Sequence, residues 1–299
     1  MAKQQRTSRR PHAARRNSGS SSAKWKIIPT LLILVALVGV ALAVRDRMAY
    51  EQDDKSITSA SSNAAGPARH YADLHLARRT GDPASARTIR RDYEGFTLAY
   101  NPENLTADWV GWELLASETD GQYSRSNKFW TDTTIPNSPT TDDYRNSGYD
   151  RGHLCPAADQ KWSEKAMNDC FVMTNMTPQL HALNNGAWKT LEQKERLWAQ
   201  RDSVLVIVAG PIYADTDTKR IGENGVRVPS SFYKVLLAPY LDEPRAIGFV
   251  YPNMTAPGNM ADYSMSVDEV ERLTGLDFFY NLPCGLYPSP SPREGQNGR

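Results

Sequence analysis

A dense run of charged and polar side chains lies near the middle of the sequence. Asp150, Arg151, Gly152 and His153 occupy four consecutive positions, and Leu154 follows directly. A strand with one buried face alternates apolar and polar residues, which this run does not do. Taken alone, the run is equally typical of a polar turn that enters a strand and of side chains that face a cleft.

A second group of candidate residues follows further along the chain. Asn184 and Glu192 lie eight positions apart in a predicted helix, a little over two turns, with Trp188 one turn from each. Both side chains are therefore expected on roughly the same side of the helix. An amide oxygen and a carboxylate with few other ligands suit a hard cation that keeps most of its waters, and Mg²⁺ is that cation. The simpler interpretations are that Asn184 caps the helix and that Glu192 is a solvated helix residue.

Acid–base and phosphate-binding groups are available beside such a cation. His153, with a reference pKa near 6.5, could take a proton from an attacking water. Arg125 and Arg151 could bind phosphate oxygens through the guanidinium fork. Together these parts predict a phosphodiesterase with one metal ion. Alone, Arg125 would be an ordinary loop arginine, and Asp150 could simply orient Arg151.

Three motifs resemble those of the DNA/RNA non-specific endonucleases, a family that includes secreted bacterial nucleases and mitochondrial endonuclease G. They are Asp-Arg-Gly-His at 150–153, Thr-Asn-x-x-Pro-Gln at 174–179 and Leu-Asn-x-Gly-Ala-Trp-x-x-Leu-Glu at 183–192. The motifs stand in the family's order and spacing, and the resemblance covers about residues 93–282. It implies an α+β fold in which a ββα-metal (His-Me finger) nuclease site is set on a larger antiparallel sheet.

The resemblance also implies a role for each candidate residue. His153 is the implied general base, and Asn184 is the implied direct ligand of Mg²⁺, with Mn²⁺ as an alternative ion. Glu192 would hold the metal through a bound water. Asn175 would be an active-site amide that positions the histidine or the phosphate.

The two arginines and the reaction follow from the same resemblance. Arg125 matches the family's upstream phosphate-binding arginine, Arg151 is the arginine of the Asp-Arg-Gly-His motif, and both are expected to bind the substrate. Water would attack the phosphodiester and leave 5′-phosphate and 3′-hydroxyl ends, with no covalent histidine intermediate. No feature specific for a 2′-hydroxyl is readable, so both DNA and RNA are expected as substrates.

Two rival functions remain open at this point. A phosphodiesterase for small substrates would share the same site. A non-catalytic, membrane-tethered nucleic-acid-binding protein could keep the fold, but it would be expected to lose at least one of His153, Asn184 and Glu192. Residues 88–285 contain 18 Lys and Arg against 27 Asp and Glu. Because phosphate contacts dominate non-specific affinity, the basic groups should be concentrated in the cleft.

Periodicity predicts a mixed domain of antiparallel strands and helices. Four tryptophans are expected in the core, and His181 is expected at the surface without partners. No Gly-rich phosphate loop and no βαβ alternation is present, which argues against a nucleotide-binding doubly wound fold. Predicted strands cover 93–100, 109–116, 170–176, 204–209, 231–238 and 246–251, predicted helices cover 163–167, 185–201 and 266–273, and the four tryptophans are Trp109, Trp112, Trp188 and Trp198.

The amino-terminal part predicts an exported protein. Residues 1–26 form a basic leader, and residues 27–44 are an uncharged apolar run long enough for one transmembrane helix. The flanking charge places the leader in the cytoplasm and the catalytic domain outside the cell membrane. A signal peptide cleaved near residue 43, which would release a secreted protein, is the alternative.

The remaining boundaries follow from composition. Residues 45–87 read as a flexible linker, although 71–79 could form a short helix, and residues 286–299 as a disordered tail. The nuclease domain is then 88–285. Its three cysteines, Cys155, Cys170 and Cys284, could form one disulfide in an exported domain, without a pattern that selects the pair.

Overall fold

The computed structural model describes residues 72–81, 88–216 and 218–283. A π-helical segment, Asn184–Trp188, joins the second helix to the third. The α-helices are α1 (Glu164–Asp169), α2 (His181–Leu183), α3 (Lys189–Asp202) and α4 (Val267–Thr274). The strands are β1 (Ala77–Arg79), β2 (Ile89–Asp92), β3 (Thr97–Asn101), β4 (Thr106–Leu115), β5 (Asp150–His153), β6 (Met176–Gln179), β7 (Val204–Ile212), β8 (Arg220–Ile221), β9 (Val226–Arg227), β10 (Ser231–Ala238), β11 (Arg245–Pro252), β12 (Ser264–Met265) and β13 (Leu276–Phe278).

A seven-stranded antiparallel sheet organises the domain, in the order β12-β11-β10-β7-β4-β3-β2. Strand β7 lies between β10 and β4. All its residues except the first and the last are buried. This agrees with its unbroken apolar run, since a strand covered on both faces needs no polar alternation. The predicted α+β fold with a large antiparallel sheet is confirmed.

Alternation along β10 divides the core into two clusters, because successive side chains of a strand point to opposite faces. Phe232 and Leu236 belong to the cluster that includes Leu191 of α3. Tyr233 and Val235 belong to the other cluster, which includes residues of α4, β1 and β13. The two faces of the sheet are therefore covered by different helices, and the candidate site residues lie with α3.

Apart from Arg125, which lies in a loop before β5, the candidate residues lie in or beside two short strands and a helical run on the α3 side. β5 and β6 pair antiparallel as a separate two-stranded sheet. After Leu180 the chain enters a helical run that continues through α2, the π-helical segment and α3. Two short strands and a helix thus present the first, second and third sequence motifs in turn.

The linker prediction is wrong for the residues nearest the domain. Leu74, Leu76 and Ala77 are buried in the second core cluster. β1 pairs antiparallel with β13, so 77–79 is a strand and not part of a helix. The folded domain therefore begins before residue 88, because this segment covers part of the sheet that would otherwise face water.

Three element predictions also need correction. The apolar run 170–176 is a buried turn and 3₁₀ helix, and the strand begins only at Met176. The predicted strand 93–100 is interrupted by a turn in which Tyr93 N–H donates to the Phe96 carbonyl. The third helix is preceded by α2 and the π-helical segment, so the helical run begins at His181 rather than at 185. The Ser266 cap of α4 is confirmed, since its hydroxyl accepts from Glu269 N–H.

Several predictions concern other parts of the chain. The leader, the apolar run 27–44, most of the linker, Cys284 and the tail lie outside the described residues. Within the ranges that the structure describes, no helix is both long and apolar enough to cross a membrane. Cys155 and Cys170 are buried and carry free thiols.

Candidate active site

The hairpin of β5 and β6 fixes the first motif. Asp150 pairs with Gln179 and His153 pairs with Met176 in the antiparallel register. Gly152 is required by close approach, because a Cβ at this position would lie 2.4 Å from Gln179 Oε1. The sequence alone did not decide whether 150–153 is a polar turn or a run of side chains that face a cleft. In the structure it is a strand, with His153 at its inner end.

His153 is held in an apolar pocket. Its ring centroid lies 4.9 Å from that of Phe171 and 5.8 Å from that of Phe129. The Trp188 indole N–H donates a long hydrogen bond, 3.4 Å, to the His153 carbonyl. The side-chain Nε2 is buried and has no hydrogen-bond partner among the described residues. A buried imidazole nitrogen without a partner is costly, and a catalytic role is one of the reasons for which such a group is retained.

The charge state of His153 follows from this pocket. Burial, together with the positive charges of Arg125 and Arg151, lowers the pKa of His153 to about 3. The imidazole is therefore neutral at neutral pH and able to accept a proton. A bound phosphate would offset the two arginine charges, so the basicity of His153 would rise when substrate occupies the cleft.

The same two aromatic rings hold the arginines. Arg151 Cζ lies 4.0 Å from the Phe129 centroid, and Arg125 Cζ lies 4.9 Å from the Phe171 centroid. Arg125 Nε also donates to Asn127 Oδ1 at 2.8 Å. Each guanidinium is thus stacked on a ring that also contacts His153. A guanidinium fixed in this way loses little freedom when it binds a phosphate.

Asn184 is tied to the first motif through Asp150. Its Nδ2 donates to Asp150 Oδ2 at 2.8 Å, and His181 Nδ1 lies 2.9 Å from the same oxygen. The backbone of Asn184 is helical, so the residue is not an N-cap. With Nδ2 bound to Asp150, the amide Oδ1 is left for another ligand. The expectation that His181 lacks partners is wrong.

Glu192 lies one turn into α3 and is half-buried. The pKa of Glu192 is raised to about 7, chiefly by burial and also by the charge of Glu195, while Lys234 acts in the opposite direction. No side chain of the described residues donates a hydrogen bond to it, so its oxygens remain available. Beside it, Lys234 Nζ donates to Glu195 Oε2 at 2.8 Å, and both side chains are fully buried. The buried carboxylate of Glu195 is thus balanced by a cation from a strand of the central sheet.

Asn175 acts on the backbone beside His153. Its Oδ1 accepts from Cys155 N–H at 3.0 Å, and its Nδ2 donates to the carbonyls of Cys155 and Cys170 at 2.9 and 2.8 Å. All three hydrogen bonds of this buried side-chain amide are made to main-chain groups. The structure therefore places Asn175 as a brace for the segment that follows His153, and not against the cleft.

A cleft of about 860 Å³ lies beside the site. Phe129, whose ring packs against His153, lines this cleft, whereas His153, Arg125 and Glu192 do not. Its lining includes Asp150, Arg151 and Asn184, together with Arg145 and Lys128. Basic side chains are therefore concentrated here although the domain is acidic overall. Of the four tryptophans, Trp109, Trp112 and Trp188 are buried and Trp198 packs partly buried against the core, as expected.

The donor set fits a hard cation better than zinc. No group of three or more His, Cys, Asp or Glu that could hold a metal occurs in the described ranges. Structural and catalytic zinc sites need such groups. The unclaimed amide oxygen of Asn184 and the unbonded carboxylate of Glu192 are oxygen donors, which magnesium accepts while keeping several waters.

Comparison with known proteins identifies relatives along this whole region. The family model described as DNA/RNA non-specific endonuclease matches residues 77–284, which include every candidate site residue. The chain is 31% identical to the mitochondrial nuclease EXOG of Xenopus laevis, over 88% of this chain and 76% of that protein. It is 32% identical to nuclease C1 of Cunninghamella echinulata var. echinulata, over 68% of this chain and 86% of that protein.

A solved structure is similar in both fold and sequence. It is described as the crystal structure of the EndoG/EndoGI complex, with a TM-score of 0.62 and 30% identity. The match covers 66% of this chain and 88% of that chain. Mitochondrial endonuclease G of Homo sapiens is 33% identical, over 63% of this chain and 69% of that protein.

Proposed function

This chain belongs to the DNA/RNA non-specific endonuclease family, and from that premise we propose that it hydrolyses phosphodiester bonds with His153 as general base and one Mg²⁺ ion. Asn184 would bind the ion directly and Glu192 would bind it through water. The products would carry 5′-phosphate and 3′-hydroxyl ends. DNA and RNA are both proposed as substrates, since family membership indicates nucleic acid and no residue of the site reads a base or a 2′-hydroxyl.

His153 carries the proposal. Its Nε2 is buried without a partner between two arginine-bearing rings. A neutral imidazole in that position can take the proton of a water that attacks phosphorus.

The other residues position the substrate and the charge. Arg125 and Arg151 would each present N–H groups to non-bridging phosphate oxygens. The bound magnesium would stabilise the negative charge that develops on the leaving oxygen. Asp150 would keep the Asn184 amide turned with its oxygen toward the cleft, because Nδ2 is bound to its carboxylate. Asn175 would keep the end of β5 in place.

The test is digestion of plasmid DNA and of RNA by the 299-residue chain, with Mg²⁺ or with EDTA. We expect nicking of both polymers with Mg²⁺, loss of cleavage with EDTA, and ends that a ligase accepts without kinase treatment. His153→Ala should abolish turnover and leave nucleic-acid affinity nearly unchanged. His75→Gln is the matched control, because this histidine is also shielded from water but lies against Thr97.

The outcomes separate the proposal from its rivals. Near-normal cleavage by His153→Ala would overturn the general-base role. Nucleic-acid binding without cleavage under any metal would favour a binding protein. Hydrolysis of bis-nitrophenyl phosphate without cleavage of either polymer would favour a small-substrate phosphodiesterase.

We also propose that residues 27–44 anchor the chain in the cell membrane with the nuclease domain on the extracytoplasmic side. The support is the apolar run and the basic residues before it. Mass spectrometry of the mature protein from membranes should recover peptides from 1–26. Recovery of a soluble form that begins after residue 43 would instead indicate a cleaved signal peptide.

A further inference from the structure

Three cations lie on three aromatic faces around the cleft. Two of them, Arg151 on Phe129 and Arg125 on Phe171, already serve the proposed reaction. The third is Lys219, whose Nζ lies 4.7 Å from the centroid of Tyr149. Tyr149 lines the cleft. The proposed mechanism gives no role to this third pair.

The position of Lys219 is fixed at both ends. Its carbonyl accepts a hydrogen bond from Val228 N–H at 3.0 Å, which anchors the backbone immediately before β8. Its Nζ donates to the Tyr149 hydroxyl at 2.9 Å. The side chain is exposed, and no carboxylate of the described residues lies within ion-pair distance of it. A lysine held at both ends keeps two ammonium hydrogens for a ligand outside the protein.

The location of the pair matches the repeat of a nucleic-acid backbone. Tyr149 stands two positions before Arg151 in the sequence, which corresponds to about 7 Å along an extended chain. Phosphates of one strand follow each other at about 3.4 Å of helix rise. This rise is only the axial component of the distance between successive phosphates, so a strand whose scissile phosphate is held by Arg151 would pass Tyr149 and Lys219 at a neighbouring phosphate.

We propose that Lys219, seated on Tyr149, is an outer phosphate contact that extends the nucleic-acid path of the cleft beyond the scissile phosphate. This inference rests on the proposed nuclease function. Lys219 Nζ is held at the hydroxyl end of the Tyr149 ring, so the pair offers a positive charge at the edge of the cleft. It therefore binds the backbone in the same way for any sequence, and on duplexes as well as single strands.

An outer contact has a kinetic signature. It binds substrate and transition state equally, so its loss raises KM and leaves kcat unchanged. It also releases counterions, and each phosphate contact on duplex DNA contributes about 0.9 to the slope of log affinity against log salt. A residue with a purely structural role would change neither the salt slope nor KM alone.

The experiment compares Lys219→Met with the parent chain, using a short DNA duplex as probe. Affinity is measured over a range of salt with EDTA present, and KM and kcat are measured with Mg²⁺. We expect the slope to fall in magnitude by about 0.9, KM to rise several-fold and kcat to stay within two-fold. Lys219→Arg should restore the parent slope, because it restores the charge.

The matched control is Arg272→Met. Arg272 is an exposed cation of α4, on the face of the sheet opposite the site, so its loss should leave the slope unchanged. The basic leader adds its own salt dependence to every variant alike. The comparison is therefore between the slopes of variants and not with an absolute value.

Each outcome decides one question. A parent chain that cleaves DNA while Lys219→Met keeps the parent slope and KM overturns this inference and leaves the nuclease proposal intact. A fall in kcat with an unchanged KM also overturns it, because Lys219 would then act on the reaction. A parent chain that binds duplex DNA but does not cleave it refutes the nuclease proposal. The salt slopes of parent and Lys219→Met would then still show whether Lys219 contacts a phosphate. A parent chain that binds no nucleic acid overturns both.

Discussion

Glu192→Gln should make the protein more stable at alkaline pH while making it a poorer enzyme. Burial raises the pKa of Glu192 to about 7, above its ordinary value of 4.5. The folded state therefore holds this proton more tightly than the unfolded state. Between about pH 4.5 and 7 the native form binds more protons, so the free energy of unfolding falls as pH rises through this window and stays low above it.

The magnitude follows from the two pKa values. Their difference corresponds to about 3 kcal/mol at about 1.36 kcal/mol per pH unit. Glu192 is half-buried and solvent screens part of this cost, so we expect about 1–3 kcal/mol. Glutamine has the same shape without the charge, and no hydrogen bond from a described side chain is lost. The free energy of unfolding of the variant should thus exceed that of the parent by this amount at pH 8 and should equal it at pH 4.5.

The assay is urea unfolding of parent and variant in EDTA at several pH values. Glu223→Gln, on an exposed turn, is the matched control and should give a constant difference. The same variant should lose activity with Mg²⁺, and its pH–rate profile should lack the acidic limb that ionisation of Glu192 gives the parent. A Glu192→Gln protein that is less stable than the parent at pH 8 would refute the reasoning, because the carboxylate would then be stabilising when ionised.

Two further predictions concern parts of the fold that sequence patterns missed. Lys234→Met should lower the free energy of unfolding, measured with urea, by about 3–5 kcal/mol, because Glu195 stays buried without its cation. The double variant with Glu195→Met should recover most of this loss, and additive losses would disprove the pairing. A chain that begins at residue 88 should unfold at a lower temperature than one that begins at residue 72, since burial of Leu74 and Leu76 contributes about 1.5–3 kcal/mol each to stability. Equal unfolding temperatures would show that the segment does not stabilise the domain.

Patterns in the sequence predicted the central sheet well where burial is uniform. β7 and β10 are mainly apolar runs flanked by turn residues, and their β-branched and aromatic residues favour strands. The segment 170–176 has the same composition but is not a strand. There the Asn175 amide bonds to main-chain groups on two neighbouring segments, which replaces a ladder of strand hydrogen bonds. An apolar composition indicates that a segment is buried. It does not show whether the backbone of that segment is hydrogen-bonded to a neighbouring strand or to a buried side-chain amide.

The candidate site shows the same limit. The spacing of the motifs identified His153, Asn184 and Glu192 as candidates. In the structure they lie in β5, the π-helical segment and α3. Their partners depend on register, which local patterns do not specify. Asp150 reaches His181 and Asn184 only because β5 pairs with the strand that leads into the helical run. Lys234 carried a readable signal, since a lysine inside the apolar run of β10 must find a buried partner.

The two sides of the site are set by different forces, and this explains the two opposite pKa shifts. Aromatic packing and two arginines surround His153 and keep it neutral. On the helix, burial beside Glu195 holds Glu192 near the point where it loses its proton, and Lys234 limits the shift. At neutral pH the first group is therefore ready to accept a proton, while the second is close to half-ionised. The acidic limb of activity should consequently belong to Glu192, and binding of a cation beside it would extend that limb to lower pH by favouring the carboxylate.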